Sequence, residues 1–376
     1  MVGLEERMGR DNVISILKGI GILLVVVGHS GCPQIISRWI YCFHMPLFFM
    51  ASGYFFSDKY IDDPWTFFRK KVNGIYWPFV KWSIAFLLLH DIFMYLGIMN
   101  TGYGSAHGDC PSWFSSMDIL RNSVDVVTKM TSYDYFICGA FWLFRALFVG
   151  NVLLCICSWF VKKYLHVSRS VLFVTLVFGI LGGLKVIWGK DIPNWPQGGY
   201  RELMAVFFIG IGYLTKSFVV DNAGKWYGIF IACLLLVISA LWLPTDMGYR
   251  GQTLVKWITL CITGLAGFFF VYGISRFVDG KKNQIRTILM FLGENSIYVL
   301  IFHFLFFKPA SYLKIMIWHL DVKMISCHPV IPENNDWYWL VYSLTSVLLC
   351  VGAVLMQKKL QIQQKIKSVF RLTVNE

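Results

Sequence analysis

Residues 11–30 read Asp11-Asn12-Val13-Ile14-Ser15-Ile16-Leu17-Lys18-Gly19-Ile20-Gly21-Ile22-Leu23-Leu24-Val25-Val26-Val27-Gly28-His29-Ser30, and between the two ends only Lys18 and His29 carry ionisable side chains. A helix needs about 20 apolar residues to cross the hydrocarbon core of a bilayer, and this stretch has that length. Further runs of the same kind follow through the chain. Of the 376 residues, 57% are hydrophobic, 17% aromatic and 15% charged. A soluble domain carries roughly a quarter charged residues, so an ordinary soluble globule is excluded. The chain reads as an all-α integral membrane protein with one membrane domain, residues 1–376, and no soluble partner domain.

Ten apolar runs predict about ten transmembrane helices: 13–30, 41–56, 77–99, 141–161, 171–188, 203–218, 226–243, 253–277, 287–307 and 337–356. The second and sixth are short. No small-residue cleavage site follows the first run, so it is expected to stay as a span rather than act as a signal peptide. With the N-terminus inside, the inner segments hold twice as many Lys and Arg as the outer ones. That bias predicts both termini in the cytoplasm. It also absorbs the formal charge of +13 as topology, so nucleic acid is not an expected partner and the lipid bilayer is.

Ten cysteines show no metal-type pairing, and no metal is expected. Cys110, Cys138 and Cys327 fall on or near the outer side, where one disulfide among them is open if that compartment is oxidising. Sequence does not choose the pair.

Ionisable groups at depth are costly unless they face a cavity or a partner. Lys18 and His29 are eleven residues apart, which on a helix is about 16 Å of rise and within about 20° of one face. A cation in the inner half and a titratable base near the outer surface therefore point toward what reads as a single cavity. His44, Arg145, Lys185, Glu202 and His303 also sort to the outer ends, while Arg69, Lys70, Lys71, Lys81 and Glu294 sort to the inner ends. The outer mixture of bases, cations and a carboxylate suits activation of a hydroxyl on a polar ligand. The inner cations suit a phosphate-bearing donor, although simple positive-inside anchoring also accounts for Arg69 to Lys71. The chain has no phosphate-cradling glycine loop, His-Glu-x-x-His or Gly-x-Ser-x-Gly motif. Ser52 lacks a defined base partner, and Gly53, Gly210 and Gly212 read as helix-packing positions.

The quoted stretch, followed by Phe43-His44-Met45-Pro46-Leu47-Phe48-Phe49-Met50-Ala51-Ser52-Gly53-Tyr54, resembles the start of the membrane-bound acyltransferase-3 family. Within it the chain is similar to the fucose-type sugar O-acetylases. Phe141-Trp142-Leu143-Phe144-Arg145-Ala146-Leu147-Phe148 and Leu292-Gly293-Glu294-Asn295-Ser296-Ile297-Tyr298, the latter followed by His303, extend the likeness along nearly the whole chain. The family's basic residue, ten positions and histidine fall on Lys18 and His29. The resemblance implies a multi-pass cell-membrane enzyme. It would take an acyl group, usually acetyl, from cytoplasmic acyl-CoA and place it on a carbohydrate hydroxyl: a polysaccharide, lipid-linked sugar or oligosaccharide. His29 is then the expected catalytic residue; Lys18, Arg69 and Lys71 bind the donor; and His44, Trp142, Arg145, Glu202 and His303 shape the acceptor side. One departure stands out: relatives carry two arginines three apart before the third span, whereas here the segment is Arg69-Lys70-Lys71-Val72-Asn73-Gly74. The rival reading, a carrier for a small amphiphile or glycan precursor, has ionisable groups at two depths in its favour but no internal repeat between the halves. The outer stretches 100–139 and 309–336 are the expected selectivity elements.

Overall fold

A computed structural model describes residues 11–105, 109–131, 136–193 and 195–373, with side chains described as far as 360. The described residues form helices joined by loops and short turns. In chain order they are α1 Asn12–His29, α2 Gln34–Tyr41, α3 His44–Tyr54, α4 Lys59–Asp62, α5 Pro64–Lys71, α6 Trp77–Tyr95, α7 Ser116–Lys129, α8 Trp142–Tyr164, α9 Ser170–Trp188, α10 Tyr200–Leu214, α11 Lys216–Asn222, α12 Trp226–Trp242, α13 Leu254–Gly280, α14 Gln284–Glu294, α15 Ser296–Trp318 and α16 Trp339–Thr373.

Among the described residues, seven helical stretches are long and apolar enough to cross a membrane, or eight if one bent pair counts as a single span. The expectation of about ten differs for local reasons. The 41–56 run breaks at Cys42 and Phe43 into α2 and α3, and α3 has only 11 residues. Two side chains make the break tolerable: Thr263 donates to the Cys42 carbonyl at 2.8 Å, and His44 Nδ1 bonds the Ile40 carbonyl at 2.9 Å. The 203–218 run bends by 55° at Thr215, between α10 and α11. The 226–243 run gives α12, 17 residues long. The 287–307 run is interrupted at Asn295, so its apolar length is divided between α14 and the spanning α15. Conversely, the basic segment before the third run is no loop. Residues Pro64–Tyr95 form one helical stretch of 32 residues, with a π turn at Val72–Tyr76.

α1 lies at the centre of the bundle, against α14, α13, α15, α16 and α3. Its start is fixed by Asp11, whose carboxylate accepts from the Val13 and Ile14 amides and from the Tyr54 hydroxyl. Two glycines set how closely α1 approaches α14. A Cβ at Gly19 would collide with the Leu289 carbonyl, and one at Gly293 would collide with the Ser15 carbonyl. Gly53 and Gly212 hold α3 and α10 together in the same way, against the Ile209 and Met50 carbonyls. Because rigid backbone cannot yield as a side-chain tip can, Gly293→Val is expected to cost about 3 kcal/mol, the upper end for overpacking. A thermal midpoint in detergent equal to wild type would show that the two helices need not touch.

Candidate active site

Two cavities lie along α1. The first, about 190 Å³, is lined by His29 and Val25 from α1, Tyr41 from α2, His44 and Met45 from α3, Trp142 from α8, Arg201 from α10 and Asp246 from the loop after α12. The second, about 220 Å³, is lined by Lys18 and Ile22 from α1, Phe48 and Ser52 from α3, Leu143 and Leu147 from α8, and Ser296 from α15. Lys18 and His29 do share a face, and each opens onto a cavity. Two cavities follow this face, and Leu300 of α15 lines both. At 5% exposure its side chain is packed, not loose.

Hydrogen bonds decide which imidazole nitrogens are basic. The Tyr41 hydroxyl donates to the Gly28 carbonyl at 2.9 Å, and Tyr41 Oη lies 3.5 Å from His29 Nδ1. With its proton engaged, Tyr41 can only accept from the ring. That places the His29 proton on Nδ1 and leaves Nε2 as the free base. His303 is fully buried, its centroid 5.5 Å from that of His29. Its Nδ1 is 2.9 Å from the Leu300 carbonyl and 3.2 Å from that of Val299, so Nδ1 is the donor. Its Nε2 has no hydrogen-bond partner among the described residues. His44, anchored through Nδ1, likewise keeps Nε2 as an acceptor. Among the described residues, no group of three His, Cys, Asp or Glu is placed to hold a metal ion.

Above the pair, Phe304 packs on His29 at 4.9 Å and on His328 at 4.6 Å. His328 lies in the loop after α15. Burial, and then Lys308, His29 and His303, hold its pKa well below the usual histidine value.

Arg145 and Glu202 pair with each other. Arg145 Nε is 2.8 Å from Glu202 Oε1, and the side chains are 8% and 3% exposed. Neither residue lines the first cavity, although both were expected on the acceptor side. Their neighbours in sequence face it instead: Trp142, one turn before Arg145, and Arg201, whose guanidinium lies 3.9 Å from the Trp142 ring centroid. In the sequence Arg201 is one of the outer charges, and neither Tyr41 nor Asp246 stands out. The signal available for Arg201 was its place beside Glu202 at the start of an apolar helix.

At the other chamber, Lys71 Nζ donates to Ser52 Oγ at 3.3 Å; Ser52 donates to Asn151 Oδ1 at 2.9 Å; and Asn151 Nδ2 donates to the Leu147 carbonyl at 2.7 Å. Lys71 is thereby tied to the chamber wall. Arg69 is exposed and lies over the Trp65 ring at 4.9 Å, away from both cavities. Lys308 and Lys314, expected outside the membrane, sit inside α15, 7% and 0% exposed. Lys308 donates to the carbonyls of Ile325 and Cys327, and Lys314 to that of Ile331, so both bind the loop that follows their own helix.

Compared with curated proteins and with solved structures, the chain has no match. A family model described as an acyltransferase domain matches residues 11–356, from the capping aspartate of α1 into α16, and so takes in both chambers and every residue discussed above. By that match the chain belongs to the acyltransferase-3 family, and it is a membrane acyltransferase.

Proposed function

We propose that the protein moves an acyl group, acetyl in the first instance, from cytoplasmic acyl-CoA to a hydroxyl of a carbohydrate on the opposite face of the cell membrane, as a member of the fucose-type sugar O-acetylase branch. The observation that carries this reading is the pair of chambers along one helix, with lysines at one and an imidazole base at the other. The Lys18 chamber is lined mainly by apolar side chains, with Ser52 and Ser296 for polar contacts. That lining suits the acyl thioester and its arm, while Lys18, and Lys71 bound to Ser52, suit the donor's phosphates. The His29 chamber holds a guanidinium, a carboxylate and an aromatic face around a basic nitrogen. Those groups suit a polyhydroxylated acceptor.

In the reaction, His29 Nε2 takes the proton of the acceptor hydroxyl, whose oxygen attacks the thioester carbonyl; the coenzyme A thiolate leaves and is protonated. In the two-step variant Nε2 first carries the acyl group itself. Tyr41 keeps Nδ1 protonated in either case, and Arg201 and Asp246 orient the sugar. The test is transfer of labelled acetyl from acetyl-CoA to cell-surface glycan by purified protein in lipid; the absence of any transfer to, or hydrolysis by, the protein would overturn the reading.

Since Leu300 lines both chambers, Leu300→Ala is expected to widen their junction and let water reach the thioester. Acetyl-CoA hydrolysis without acceptor should rise at least several-fold while transfer falls. Unchanged hydrolysis would show that Leu300 does not separate donor from solvent.

A further inference from the structure

The loop after α6 and the loop after α15 are sewn together on the His29 side of the molecule. The Asn100 amide donates to Ser326 Oγ at 3.0 Å, Ser326 Oγ donates to the Tyr103 carbonyl at 2.8 Å, and the His328 amide donates to the Gly104 carbonyl at 2.9 Å. Ser105 and His328 form a parallel bridge. This seam carries one cysteine on each side. Cys110 folds back on Gly104, so closely that a Cβ built there would lie 2.8 Å from the Cys110 Cα. Cys327 directly precedes the histidine that bonds Gly104. Both cysteines line one cavity of about 570 Å³ between the loops. Burial first, then Glu333, raise the Cys327 thiol pKa, and Cys110 is near enough to add to that rise. Cys138, the third cysteine expected on this side, is fully buried and does not line the cavity.

We propose that Cys110 and Cys327 are partners in a disulfide that clamps the two loops over the histidine cluster. A disulfide needs Cα atoms within about 7 Å, and the Gly104 seam brings the two chain segments alongside each other. Oxidation proceeds by exchange: exposed Cys110 attacks a disulfide-bonded donor of the thiol-disulfide exchange class, and Cys327 displaces the mixed disulfide. The two thiols become one S–S bond, and the donor leaves as two thiols, taking the two electrons and two protons. The bond would fix His328, whose ring bears on Phe304 and through it on His29. The clamp stands on loop geometry and needs no assumption about the group transferred.

The experiment uses the full chain purified in detergent and incubated with oxidised glutathione, then alkylated, digested and mass-mapped without reduction. A linked peptide containing positions 110 and 327 is expected. In Cys110→Ser, Cys327 should instead be alkylated, and adding reductant to wild type should lower the thermal midpoint by about 5 °C or more while leaving Cys110→Ser unmoved. Alkylation of both Cys110 and Cys327 in oxidised wild type, or a link from either to Cys138, overturns the proposal. So does a midpoint that reductant does not shift.

Discussion

His29→Ala is expected to lower acyl transfer by about 10²- to 10⁴-fold while the protein still inserts, folds and binds acyl-CoA. The ring is half-buried on α1 and touches Phe304 and His303 of α15 and Tyr41 of α2, so its removal leaves a void there while α1 keeps its glycine-mediated approach to α14 and its Asp11 cap. Binding of donor, measured with a non-hydrolysable acyl-CoA analogue, should be close to wild type because Lys18 and Lys71 belong to the other chamber. Tyr41→Phe gives the companion measurement. It removes the acceptor that keeps the proton on Nδ1, so transfer should fall by less than in His29→Ala and donor affinity should again hold. Full transfer by His29→Ala would end the mechanism. A loss of donor affinity in the same variant would place the donor in the wrong chamber.

Glu202→Ala is expected to destabilise the protein by about 3–5 kcal/mol, because it strands the Arg145 guanidinium among buried groups with its ion partner gone. The guanidinium also lies over the Trp195 ring, whose centroid is 5.2 Å away and which cannot replace a carboxylate. Replacing the pair together, as Arg145→Met with Glu202→Leu, should recover most of the loss, since two well-packed apolar side chains need no compensation. The measurement is the thermal or denaturant midpoint in detergent for both single variants and the double. If Glu202→Ala keeps its midpoint and loses only acceptor turnover, the carboxylate is an acceptor ligand and the ion pair is not its purpose. The double variant then separates the two roles a second time, by being stable and inactive.

Much of this architecture could be read from the chain. The 13–30 run announces its helix through an apolar sequence whose only ionisable side chains are Lys18 and His29, and the eleven-residue interval between those two places both on one face by helix periodicity alone. Other features escaped because they depend on what touches what. The 41–56 run has spanning hydropathy, yet it breaks where Thr263, more than two hundred positions later, satisfies the opened carbonyl. Lys308 and Lys314 look like flanking charges, and only the loop folding back over α15 gives them buried acceptors. Arg145 and Glu202 were legible as intramembrane ions, but their spacing in sequence hides that each answers the other. Leu300 is one leucine among many, and nothing local marks it as the residue that lines both chambers.

The two lysines inside α15 also bear on how this protein can change. Lys308 relies on the main-chain oxygens of Ile325 and Cys327, and Lys314 on that of Ile331 together with Asn335 Oδ1; main-chain oxygens are atoms that every amino acid supplies but only one backbone path puts in place. Apart from Ser326, Cys327 and His328 in the seam and Asn335 beside Lys314, side chains in that segment are therefore freer to change than its length and trace. A transplanted segment of different length would leave two ammonium groups sealed in apolar surroundings. New acceptor preferences in descendants, or in engineered chimeras, should accordingly arise by point replacement in this segment and by insertion elsewhere.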